Sequence, residues 1–426
     1  MPIVPIWIWL PGQDSPVHAA DLSVDRGSST FRYRGDYLER ADAVVPDPVE
    51  LRPTRSMRGL TIRGTDGLPG IVRDAKPAGY GADRLIAQAG TELNAIELLE
   101  RGVPDGVGAI EACVDIARKL AWRPRTLDEL RPLAEELDAA APSSRALRRL
   151  NEDLATSAGG ERPKTTLMHD GRLWLAKMQD RGDRPALPAR EFVTMELARV
   201  VGLDVAAVRL HSFGTHQVLL VERFDRSGDP LRPTRTLYAS AHTVLRLPLD
   251  AIRGNVQRSY LVFGDQLRVW GRGRDDLGAQ LRELWRRMVF NALVGNIDDH
   301  PLNHGLIHDG SWENGWRLSP AFDITPASAT VPQPLENGPA LAMATGKDGS
   351  ALTGAKRLID AAAHFGVDID EAARWIADTS RLVANRWEPM LRQAAAPITE
   401  DAARMDHIVT DARRAFCYSE WLADHA

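Results

Sequence analysis

Residues 3–10 are an unbroken apolar run and apolar and polar positions alternate over 20–24 and 30–33, so the chain is predicted to open with three short strands. A stretch rich in Pro and Gly follows, then helical spacing over 91–99 and 127–137, which makes the first part, to about residue 150, a mixed α/β subdomain. The Ala-Ala-Ala-Pro-Ser-Ser run at 139–144 reads as a joint. From residue 156 the pattern turns to hairpins. Residues 165–168 and 173–178 flank His169-Asp170-Gly171-Arg172, and Asp-Gly between apolar runs is a strong hairpin cue. A helix over 190–201 is expected from the stripe Phe192, Val193, Leu197 and Val200, with Gly202 as its stop. A second hairpin joins 206–211 to 217–224. Beyond about residue 240 strand signals become rare. Leu281, Leu284, Trp285, Met288, Val289 and Leu293 share one face of a helix ending at Gly295-Asn296, and 358–426 is helical almost throughout. One hairpin, 305–308 with 316–319, interrupts this half.

Bulk properties narrow the picture. At 426 residues, two or three domains are the starting expectation. Apolar content of 44%, charged content of 26% and a net charge of −5 describe an ordinary globular protein and disfavour a dominant nucleic-acid or membrane-surface role. Arg145, Arg148 and Arg149 read as one solvated helix face. Cys113 and Cys417 stand far apart without short-spaced metal-ligand companions, so neither a disulfide framework nor a zinc site is expected. The apolar start lacks a basic n-region and a small-residue cleavage site and reads as a strand, and no run reaches the roughly 18–20 apolar residues of a membrane span. The expected location is the cytoplasm.

Phosphoryl transfer needs a carboxylate at the attacking hydroxyl, oxygen ligands for Mg²⁺ and a cation on the phosphates. The chain offers each in order. Asp298 and Asn303 have the D-x-x-x-x-N spacing of a kinase catalytic loop directly after an apolar helix, and Asp323 closes the strand after the next hairpin, where a second Mg²⁺ ligand stands. Lys177 ends the strand Leu173-Trp-Leu-Ala-Lys177, similar to the V-A-I-K strand, with Glu191 or Glu196 as its helix partner. Glu222 and Phe224 fall where an adenine-contacting hinge would lie, and His300 is a further candidate for nucleotide binding. No G-x-G-x-x-G precedes Lys177; Gly159-Gly160 stands there instead and could wrap phosphates through backbone N–H groups. The expected fold is α+β: a two-lobed, protein-kinase-like chain with an extra N-terminal subdomain (1–150), a mixed α/β ATP-binding lobe (151–240) and an all-α C-terminal lobe (241–426).

Each residue taken singly has a plainer reading, a cap or turn for the aspartates and a surface position for Lys177. Their joint order raises the odds. A rival set, Asp298, Asp299, His300, His304 and His308, has the residue types of a metal-dependent hydrolase, although Pro301 disfavours a shared helical face for His300 and His304. A pseudokinase acting as co-repressor and a small-molecule kinase on the same fold stay open.

Four segments resemble the HipA-type toxins, serine/threonine kinases of bacterial type II toxin-antitoxin pairs. Ser157-Ala-Gly-Gly-Glu-Arg-Pro-Lys164 looks like the family's S-x-G-G-x-R-P-K, Val221-Glu-Arg-Phe-Asp-Arg226 like its V-E-R-F-D-R, Gly295-Asn-Ile-Asp-Asp-His-Pro-Leu-Asn-His304 like its G-N-x-D-D-H-x-x-N-H, and Trp316 to Pro326 like W-x-L-S-P-A-Y-D-x-x-P. More loosely, 67–83 and Asp105-Gly-Val-Gly108 are similar to its N-terminal region. The resemblance implies ATP and Mg²⁺ as cofactors, Asp298 as catalytic base, Asn303 and Asp323 as Mg²⁺ ligands, Lys177 on the phosphates, Glu222 and Phe224 as hinge, and Ser157 as an autophosphorylation site that ejects the Gly-Gly loop. It also implies a HipB-like helix-turn-helix antitoxin as partner, with DNA contacted only through it, and an aminoacyl-tRNA synthetase as substrate. Two departures, Lys76-Pro-Ala-Gly-Tyr80-Gly81 for P-D-G-W-G and Leu302 where many members carry Lys or Arg, bear on partner or substrate contacts.

Overall fold

The computed structural model describes residues 3–25, 28–53, 60–63, 67–138, 156–157, 159–160, 162–179, 183–308, 310, 315–327 and 334–425. The joint at 139–144 and Arg145, Arg148 and Arg149 lie outside them. The chain divides into two compact units, one of Met1–Asp180, Glu222–Leu249 and Gly305–Arg317, the other of Arg181–Val221, Asp250–His304 and Leu318–Ala426.

In the first unit the N-terminal runs build an antiparallel sheet in the order Leu60–Arg63, Ser28–Tyr33, Pro16–Asp25, Ile3–Trp9, Ile110–Ala112. Val4, Ile6 and Ile8 are buried on one face, each such side chain contributing roughly 1.5–3 kcal/mol. The helix expected from 91 starts later, at Ala95–Arg101, because Asn94 and Glu97 form a capping box: Asn94 Oδ1 accepts from the Ile96 and Glu97 N–H groups, and the Glu97 carboxylate accepts from the Asn94 N–H. The Asp-Gly cue is borne out. Lys164–His169 and Arg172–Met178 pair across Asp170 (φ 48°) and Gly171 (φ 68°), the left-handed pair of a two-residue hairpin turn. The hairpin of Gly305–His308 with Trp316–Leu318, read as an interruption of the helical half, extends a sheet begun by Tyr238–Ser240.

The second unit is mainly helical. Leu187–Val200 packs with the long helices Ile369–Ala395 and Ala402–His425, and Trp387 stacks on Phe416 at 4.6 Å between ring centroids. Trp285, fully buried on the helix Leu277–Leu293, donates its indole N–H to the Leu358 carbonyl at 2.9 Å. Among the described residues no helix is long and apolar enough to cross a membrane.

Candidate active site

The helix Leu277–Leu293 buries Leu284, Trp285, Met288 and Val289 and delivers the chain to Gly295 at φ 64°. A Cβ at Gly295 would run into the Ala415 carbonyl oxygen, so the turn has room for glycine alone. Gly295→Ala is expected to cost about 2 kcal/mol or more, from left-handed backbone strain and a backbone overlap. Guanidinium unfolding measures it; a loss below 1 kcal/mol would mean the chain can move aside.

A chain of buried amides then fixes the loop. The Asn296 N–H donates to the Asn291 carbonyl (2.8 Å), Asn296 Nδ2 to Asn291 Oδ1 (3.1 Å), and Asn291 Nδ2 to the Tyr260 hydroxyl (3.1 Å). The two neighbouring carboxylates are put to different uses. Asp299 is buried and pairs with His304 at 2.7 Å, whose ring lies edge-on to Tyr260, whereas Asp298 is exposed. The Asp298 carbonyl accepts from the His300 N–H (2.8 Å) and from Asn303 Nδ2 (3.4 Å). With Nδ2 so engaged, Asn303 keeps its amide oxygen as a possible metal ligand. His300 is half-buried, and its Nδ1 has no hydrogen-bond partner among the described residues.

Asp323 reaches the same unit by another route. The Ala206 N–H donates to the Ala321 carbonyl (2.9 Å) and the Ala321 N–H to the Asp204 carbonyl (2.8 Å); beyond Asp323, Thr194 Oγ1 donates to the Ile324 carbonyl and the Ala327 N–H to the Gly295 carbonyl (3.0 Å). The segment carrying Asp323 is thus tied to the loop carrying Asp298. Asp323 sits at φ 59°, one of four non-glycine residues with positive φ among those described. Such strain, of order 1–3 kcal/mol, persists where the surroundings fix a side chain for use. Of the two candidate helix glutamates, Glu191 is buried, and Glu196 is engaged by Arg199.

The other candidates lie in the first unit. Lys177 stands directly opposite Lys164 in the hairpin, so two like charges share one sheet face, a pairing that favours a nearby anion. Lys164 Nζ donates to the Gly159 carbonyl (2.6 Å) and the Tyr80 N–H to the Gly160 carbonyl (2.9 Å), so the glycine pair is held from both sides. Gly81 approaches the Thr156 carbonyl so closely that a Cβ would not fit. The segment from Lys76 to Gly81, assigned by sequence to partner or substrate contacts, is therefore spent at least in part on this loop. Ser157 is buried: its N–H donates to Asp105 and its hydroxyl to the Val103 carbonyl, while Thr156 and Thr166 hydroxyls donate to the other Asp105 oxygen at 2.9 and 3.0 Å.

Glu222 and Phe224 are half-exposed, and Arg172 pairs with Glu222. Just past the end of the strand at Glu222 the chain turns charge inward, which the sequence reading missed. Arg223 clasps Asp225 through two bonds of 2.8 Å and donates to the carbonyls of Asp105 (2.7 Å) and Gly106 (3.1 Å). Asp225 also accepts from the Gly108 N–H and from Arg226, each at 2.8 Å. Burial opposes the ionised form of Asp225, yet the Arg223 and Arg226 guanidiniums win and hold its carboxyl well below the usual range. No periodic signal marks them: the strand ends at Glu222, and Arg223 to Arg226 form a turn closed by the Arg226 N–H on the Arg223 carbonyl (3.1 Å).

Two of the three histidines of the rival hydrolase set are otherwise engaged. His304 is paired with Asp299, and His308 lies edge-on to Trp316 and accepts from the Gly310 N–H (3.1 Å). Among the described residues no three His, Cys, Asp or Glu side chains gather as a metal cage.

The family model of the HipA-like C-terminal domain matches residues 156–387. The serine/threonine-protein kinase toxin HipA of Shewanella oneidensis is 27% identical over 346 residues, 71% of this chain and 72% of that protein. The solved HipA, HipB and operator DNA complex from the same organism contains a chain that superposes with a TM-score of 0.65 at 18% identity, covering 98% of this chain and 97% of that one. The fold is therefore the α+β, kinase-like one expected, and the chain belongs to the family of the HipA-like C-terminal domain, that of the HipA-type kinase toxins.

Proposed function

We propose that this chain is an ATP- and Mg²⁺-dependent serine/threonine protein kinase acting in the cytoplasm as the toxin of a toxin-antitoxin pair. Asp298 takes the proton of the acceptor hydroxyl as that oxygen bonds to the γ-phosphorus and ADP leaves. Asn303 and Asp323 hold Mg²⁺, which supplies charge neutralisation on the phosphoryl oxygens. Lys177 and the backbone of Gly159 and Gly160 take the phosphates, Glu222 and Phe224 border the adenine, and His300 faces the nucleotide. The observation that carries this reading is the loop itself: one carboxylate turned out beside an amide whose nitrogen is tied down, with the second carboxylate paired inward. The partner is a helix-turn-helix antitoxin of the HipB kind, with DNA met only through it, and the substrate is a translation component such as an aminoacyl-tRNA synthetase.

Ser157 is the off switch. A phosphate carrying about −1.5 to −2 charges has no place beside the buried Asp105, so phosphorylation expels the Gly-Gly loop. Incubation with Mg²⁺ and γ-labelled ATP is expected to label serine in the chain itself, and mass spectrometry to place that label on Ser157. Phosphate found only elsewhere would remove Ser157 from this role, and no incorporation into any protein hydroxyl would remove the kinase reading.

A further inference from the structure

The buried charges behind Ser157 do not balance. Lys119, Arg223, Arg226 and Arg235 have side chains 5%, 7%, 4% and 7% exposed, and among the described residues the carboxylates buried with them are Asp105, Glu111 and Asp225, four cations against three anions. Glu111 is shared by Lys119 and Arg235, and Asp225 by Arg223 and Arg226, so the buried cluster is short of negative charge. Burial also pushes the Asp105 carboxyl above its ordinary range, which weakens its share of the negative charge. The Arg226 guanidinium is held well below its ordinary value, first by burial and, against the pull of Asp225, by Arg223 and Arg235. Arg235 donates to Glu111 (3.0 Å) and the Pro104 carbonyl (2.9 Å) and lies 3.7 Å over the Trp9 ring, and its buried Nε has no hydrogen-bond partner among the described residues.

Lys119, Arg223, Arg226 and Arg235 line one cavity of about 270 Å³ together with Asp105, Pro104 and Trp9, while Glu111 and Asp225 stand outside its lining. Its remaining wall includes Trp122, Pro124 and Leu231, together with the exposed Arg123 and with Arg232, which pairs with Asp14 at 3.3 Å. We propose that this cavity binds a small phosphate monoester, the phosphate set against Arg226 and Arg235 and the organic part against Trp122 and Leu231. Guanidiniums favour phosphate through charge-assisted N–H bonds, and a phosphate supplies the missing negative charge. A cavity walled by indole and aliphatic groups beyond the guanidiniums takes more than a bare ion. The site is separate from that assigned to ATP: Lys177, Gly159, Gly160, Glu222 and Phe224 are not among the residues that line the cavity.

The test is isothermal titration of the full chain, its nucleotide site saturated with a non-hydrolysable ATP analogue and Mg²⁺, with inorganic phosphate and with phenyl phosphate. Expected is one saturable site for each, at least tenfold tighter for phenyl phosphate. Hydrogen exchange over residues 103–108 should slow on binding. Arg123→Glu and Arg232→Glu, both at exposed positions, are expected to weaken phenyl phosphate at least tenfold while the affinity for the ATP analogue stays unchanged. No saturable binding, equal affinity for the two probes, binding indifferent to both variants or unchanged exchange at 103–108 would each overturn the assignment.

Discussion

Asp298→Asn is expected to slow phosphoryl transfer about 10²- to 10⁴-fold, the range that a positioned general base contributes, while the melting temperature stays within a degree or two of wild type. Both halves follow from position. Asp298 is exposed, so replacing its carboxylate by an isosteric amide breaks no buried contact, and exposed substitutions of this kind stay within about 0.5 kcal/mol. Its backbone carbonyl, which accepts from His300 and Asn303, is unchanged, so the loop keeps its shape. Asp299→Asn is the instructive contrast, since it replaces the buried partner of His304 and should lower stability as well as rate. Labelled-phosphate incorporation and thermal unfolding, measured side by side, separate the two aspartates. Wild-type incorporation by Asp298→Asn would sink the role given to this residue.

Replacing Asp225 by Asn is expected to destabilise the protein by about 3–5 kcal/mol, because it leaves Arg223 and Arg226 buried without their shared counter-charge. The pH dependence has a definite sign. Asp225 has a folded-state pKa below its unfolded value of about 3.9, so the stability it contributes is fully present above that pH and is lost as pH falls through the lower, folded value. The gap between wild type and Asp225→Asn should therefore stay constant from pH 7 to about pH 5 and narrow in strong acid. Urea unfolding across this range decides it; a gap below 1 kcal/mol at pH 7, or one that widens on acidification, contradicts the clasp. The result bears on function because Arg223 also holds the Asp105 carbonyl, and Asp105 holds Ser157.

Much of this was legible in the chain wherever the informative residues lie close together. Asp170-Gly171 makes its turn through left-handed backbone that these residues tolerate, and the five-residue step from Asp298 to Asn303 is one loop long. The capping box at Asn94 and Glu97 was equally local and was overlooked, which started that helix four residues early.

The sequence by itself therefore determined the strands and helices, the order of Lys177, Asp298, Asn303 and Asp323, and the family to which they belong, since periodicity and short motifs are properties of neighbours. Tertiary structure alone decided which of two adjacent aspartates faces outward, that Gly305–His308 pairs with Tyr238–Ser240, and that Asp105, Arg223 and Asp225 close over Ser157. Ser157 and Arg223 reach Asp105 across 52 and 118 positions, and what joins them is the exclusion of water from hydrogen-bonded charges, which exists only once the chain has folded.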